Sequence, residues 1–125
     1  MKAKNKFGFV FLLFIAESIF LIYYSVIPAT GTPFERPVFL FQDIIIHFFA
    51  YLVYGILAER VINLGGFKGI KNSILTALII GSVFGAFTEI LQAFTPTRIA
   101  SLTDWVVDIL GSGIGGYLSA KKLRK

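Results

Sequence analysis

The chain has 125 residues, of which 56% are hydrophobic and only 15% charged, and its mean hydropathy is +0.79. That composition suits lipid, and the length is that of one domain (1–125) with no soluble unit expected beside it. There is no cysteine, which excludes disulfides, thiolate metal sites and cysteine nucleophiles, and the net charge of +5 is explained by membrane topology without any role for nucleic acid.

A transmembrane helix needs about 20 mostly apolar residues. Four such stretches occur, over residues 7–27, 43–64, 73–94 and 103–120. The first follows Lys2, Lys4 and Lys6; its apolar run is too long for the core of a secretory signal, and Ile27 stands where cleavage at Ala29 would want a small residue. It reads as an uncleaved span, and Glu17 within it belongs to no stripe. Pro28, Pro33 and Pro37 with Gly31 break the chain next. In the second span Asp43, His47, Tyr51, Gly55 and Glu59 recur at i, i+4 and share one face. The pair Glu59-Arg60 at its inner end reads as solvated or snorkelling.

Gly65, Gly66, Lys68 and Gly69 mark the second break. The third span carries Gly81, Gly85 and Glu89 at i, i+4, with Gln92 further toward its outer end, and stops at a segment holding Pro96 and Arg98. The fourth opens with Ser101-x-x-Asp104, a capping-box pattern, and continues through Asp108, Gly111 and Gly115. The spacings Gly81/Gly85 and Gly111/Gly115 are small-xxx-small patterns, which predict that the third span packs on the fourth.

Ten of the twelve cations (Lys2, Lys4, Lys6, Arg60, Lys68, Lys71, Lys121, Lys122, Arg124 and Lys125) fall on one side of a four-span chain, against Arg36 and Arg98 on the other. The expected fold is therefore an all-α membrane protein, a bundle of four transmembrane helices with both termini cytoplasmic. This topology brings Asp43, His47, Glu89, Gln92, Arg98, Asp104 and Asp108 to the outer end. His47, Glu89 and Asp108 lie on the order of 6–9 Å inside their helix ends. Charge at such depth is costly and marks a functional site.

Each residue also has a structural explanation. Asp104 and Asp43 suit helix caps, and Gln92 with Arg98 can satisfy Glu89 in a purely structural buried network. Two functional classes stand beside that one. In the first, Asp43, Tyr51, Gln92, Arg98 and Asp104 help form a pocket for a membrane-lipid headgroup or a lipid-linked precursor, with the Arg98 guanidinium on its phosphate. In the second, the protein is an intramembrane hydrolase or transferase in which Glu89 or Asp108 is general base and His47 general acid or ligand. The carboxylates there could hold Mg²⁺, Mn²⁺ or Zn²⁺, although no metal motif of known spacing is present, and the cofactor stays open. Ion transfer would need a polar path to the cytoplasm, which the stripes do not supply.

Asp43-x-x-x-His47-x-x-x-Tyr51, Glu89-x-x-Gln92, Pro96-x-Arg98, Ser101-x-x-Asp104 and Gly111-x-x-x-Gly115, taken in this order, resemble the VanZ-like family over about residues 43–116. The resemblance implies a compact multi-span protein of the bacterial plasma membrane, associated with glycopeptide (teicoplanin) resistance, whose biochemical activity is not established. Two positions depart from the family pattern. Ile44 stands where Lys is frequent, and Asp108 stands where Asn is usual, adding a carboxylate to the cluster.

Overall fold

The computed structural model describes residues 2–27, 42–66, 70–95 and 101–123. It is all-helical, with α1 Ala3–Val26, α2 Gln42–Leu64, α3 Ile70–Ala93 and α4 Leu102–Leu123. The four helices match the expected apolar stretches within a few residues at each end. α4 runs on to Leu123 because Lys121 and Lys122 occupy its last turn, where cations complement the helix dipole. α2 stops at Gly65-Gly66, where Gly66 takes φ 96°, a left-handed turn that glycine adopts without strain.

Three helices, α1, α2 and α3, are long and apolar enough to cross a membrane. α4 has the length, 22 residues or about 33 Å, but falls short in apolarity. Asp104, Asp108 and a run of glycine and serine dilute it. The four spans expected from hydropathy are thus three by composition, and the fourth helix owes its place to its neighbours. Its small and polar residues Asp108, Gly111, Ser112, Gly115 and Ser119 are buried, while Leu102, Val106, Leu110, Ile114 and Leu118 face outward.

Neighbouring contacts set the helix directions. Gly65 lies against Phe7, so α2 runs opposite to α1; Gly111 lies against Phe48 and Gly115 against Leu52, so α2 and α4 run parallel. Gly85 lies against Asp108 and Gly81 against Ser112, so α3 is antiparallel to α4. The start of α1 and the end of α4 therefore share one end of the bundle, the terminal end, together with Lys2, Lys4, Lys6, Arg60, Lys121 and Lys122. The starts of α2 and α4 lie at the other, distal end. Among the described residues α1 packs on α2 and α3 and not on α4, and Phe9, Leu12, Ile19 and Tyr23 leave its outer side exposed. Mid-bundle, Tyr54 stacks on Phe84 at 4.8 Å between centroids and meets Phe14 at 5.0 Å.

Two expectations are corrected. Gly81 and Gly85 do face α4, but Gly111 and Gly115 face α2, and the tightest approach in the molecule is α2 on α4. A methyl group at Gly115 would overlap the Leu52 carbonyl oxygen, and one at Gly55 the Ser112 carbonyl oxygen. Contact this close needs glycine on the crossing faces.

Glu59, in turn, is not a solvated partner of Arg60. It is 0% exposed, sealed under α4, and accepts hydrogen bonds from Ser119 Oγ at 2.6 Å and from Asn63 Nδ2 at 3.3 Å. The glycine-lined approach of α4 is what covers it.

A polar cluster between two apolar recesses

The site is built at the distal end, where α2 begins, α3 ends and α4 begins. His47 stands in the second turn of α2, Glu89 in the last turns of α3, and Asp104 and Asp108 in the first two turns of α4. Parallel packing of α2 on α4 brings His47 Nδ1 to 3.0 Å from Asp108 Oδ1, a contact between residues 61 apart in the chain. The carboxylate accepts, so Nδ1 carries the proton. Asp108 is 0% exposed, and its second oxygen, Oδ2, is buried with no hydrogen-bond partner among the described residues.

Glu89 approaches from α3. It is 7% exposed, its Oε2 accepts the Ser101 backbone N–H at 2.9 Å, and its Oε1 is buried without a hydrogen-bond partner among the described residues. This bond alters the cap of α4. Ser101 Oγ accepts the Asp104 N–H at 3.4 Å, one half of a capping box. In the other half the third-residue carboxylate would take the Ser101 N–H, which here goes to Glu89. One donor atom each from His47, Glu89 and Asp104 consequently lies within 4.8 Å of the others.

Two ionised carboxylates at such a spacing repel by about 3–4 kcal/mol at an effective dielectric near 20. Each also loses hydration, a penalty of several kcal/mol per ion in protein interiors. The arrangement is expensive unless a proton or a positive group relieves it.

Tyr51, one turn deeper than His47, is buried and reaches α3 instead of the cluster. Thr88 Oγ1 donates to the Gly85 carbonyl at 3.0 Å, so the Tyr51 hydroxyl is the donor in its 2.7 Å bond to Thr88 Oγ1. Gln92 is buried on α3 beyond Glu89. The Trp105 indole N–H ties α4 to the Ser82 carbonyl at 2.9 Å. Of the expected site, then, His47, Glu89, Asp104 and Asp108 come together, while Tyr51 bonds to Thr88 on α3. The side chain of Asp43 and all of Arg98 lie outside the described residues. Thr88, Trp105 and the Ser101 N–H were not foreseen. Only Ser101 carried a signal, as the cap of a helix that starts beside a buried carboxylate.

Apolar space flanks the cluster on two sides. A cavity of about 210 Å³ lies between α1, α2 and α3, walled by Phe20, Leu21, Tyr24, Ala50 and Thr88, with His47 in its lining. A cleft of about 330 Å³ opens on the α3–α4 surface among Ala86, Ile90, Leu102 and Trp105, with Glu89 in its lining. Since His47 and Glu89 face each other within the cluster, the polar groups divide two greasy recesses. No protein-family model, curated protein or solved structure matches the chain, so the chemistry of the site rests on this geometry.

Proposed function

We propose that the chain is a VanZ-like protein of the bacterial plasma membrane whose distal cluster binds the phosphate-bearing headgroup of a membrane lipid or lipid-linked cell-wall precursor. The observation that carries this reading is the placing of orphaned carboxylate oxygens on Glu89 and Asp108 between two apolar recesses. A ligand with a polar head and hydrocarbon tail satisfies both surfaces at once, entering sideways from the bilayer. In this reading α4 is the fourth span, its polar face covered by α2 and α3 and its apolar stripe turned to lipid. The cationic terminal end is cytoplasmic and the cluster lies near the outer leaflet. Arg98, in the segment between α3 and α4, is the phosphate clamp. Protection from teicoplanin follows indirectly, through altered surface lipids or wall precursors.

A second reading is favoured by one contact. The His47–Asp108 pair at 3.0 Å is the orientation a general acid–base histidine needs, and it faces Glu89. An intramembrane hydrolase or transferase acting on the same class of lipid would use it. A wholly structural network explains less, because such a network satisfies its own buried oxygens.

Native mass spectrometry of the gently extracted protein tests the binding. A phosphate-bearing lipid should accompany the parent chain and be lost from Ala50→Phe, which fills the cavity beside His47, and from Arg98→Ala. Retention of the same lipid by both variants would remove the recess and the clamp from the site. Cells expressing Glu89→Gln should lose teicoplanin protection.

A further inference from the structure

We propose that His47, Glu89 and Asp104 bind a divalent transition-metal ion, Zn²⁺ or Mn²⁺, and that Asp108 positions His47 for it. The inference deepens the lipid reading, on which it rests for the ion's role, and its test is separate from the test of lipid binding.

Two observations converge. The three residues come from three helices, and their donor atoms lie within 4.8 Å of one another. A tetrahedral ion with bonds of about 2.0–2.1 Å holds its donors about 3.4 Å apart, so each side chain needs to move in by less than about 1 Å. The set is also chemically selective. One imidazole with two carboxylates suits Zn²⁺ or Mn²⁺ better than Ca²⁺ or Mg²⁺, which prefer all-oxygen shells.

Second, the ligands are arranged as metal ligands are. Asp108 holds His47 Nδ1; with Nε2 as the donor to the ion, the pair would form the carboxylate–histidine–metal relay that fixes tautomer and ring orientation. Ser101 N–H holds Glu89 Oε2, leaving Oε1, buried and without a hydrogen-bond partner among the described residues, as the coordinating oxygen.

An ion held by these residues would also act as a Lewis acid toward a lipid phosphate oxygen.

The test is metal binding by the full chain in detergent, stripped of metal and lipid, then given Zn²⁺ or Mn²⁺ alone. The parent should retain one equivalent after gel filtration, and Co²⁺ substitution should show the absorption of a low-symmetry site with nitrogen ligation. Glu89→Gln and Asp104→Asn should each lose the ion. Asp108→Asn, which keeps an acceptor for Nδ1 but not the charge, should weaken binding about 10–100-fold. Glu59→Gln, at the far end, should bind as the parent does. Failure of the parent to retain an ion, or equal retention by Asp104→Asn, overturns the proposal. Asp104 lies in the first turn of α4 and is only partly buried, so its variant remains decisive even if Glu89→Gln misfolds. Ala50→Phe should keep the ion while losing lipid, so either reading can fail without the other.

Discussion

Two buried glutamates show how differently one residue type is used in this chain. Glu59 has a donor on each oxygen, Ser119 Oγ and Asn63 Nδ2, and closes its own network. Glu89 has one oxygen served and one left over. The first is structural and the second is unfinished. Removing the Ser119 hydroxyl should expose this difference, because Ser119→Ala leaves Glu59 Oε2 buried without its donor. A loss of about 1–3 kcal/mol is expected, read as a lowered thermal midpoint in detergent, with metal and lipid binding at the distal end unchanged. An unchanged midpoint would mean that Glu59 reaches another donor.

The sequence shows much of the Glu89 site and nothing of the Glu59 one, for a physical reason. His47, Glu89 and Asp108 lie on i, i+4 stripes at matching depth in apolar helices, so their convergence can be read from spacing alone. Glu59 stands beside Arg60 near a helix end, where a solvated pair is the natural expectation. Its burial comes from a helix 60 residues further on, whose small residues let it settle over the carboxylate.

At the level of the helices, the same limit appears in the glycines. The small-xxx-small spacing of Gly111 and Gly115 announces a close helix neighbour but not which one, and the neighbour is α2. That choice matters to the site, since the α2–α4 contact sets the 3.0 Å approach of His47 to Asp108. The glycines are correspondingly unequal. Gly115→Ala should be strongly destabilising, because the new methyl meets backbone at Leu52. Gly113→Ala should cost less, because it meets only the flexible tip of Leu78 at 2.9 Å. Gly8→Ala, with nothing within 4 Å, should be neutral or stabilising. Overpacking of this kind typically costs about 1–3 kcal/mol, so thermal unfolding in detergent will resolve the order. Equal midpoints for Gly115→Ala and Gly8→Ala would refute the packing of α2 on α4.

For the whole molecule, the polar cluster and the basic residues occupy opposite ends, which makes membrane orientation the property on which the functional reading depends. If the terminal end faces the cytoplasm, the cluster meets outer-leaflet lipids; if it is reversed, the site meets cytoplasmic ones, and a surface precursor is out of reach. The lack of cysteine allows a direct test with single introduced thiols. Phe94→Cys lies at the distal end of α3, 85% exposed, and Asn5→Cys lies on the exposed first turn of α1. In intact cells a membrane-impermeant maleimide should label Phe94→Cys and spare Asn5→Cys, which should react only after permeabilisation. The opposite pattern would place the carboxylates at the inner leaflet. The bundle and its metal ligands would stand, but the ligand would have to be a lipid phosphate on the cytoplasmic side.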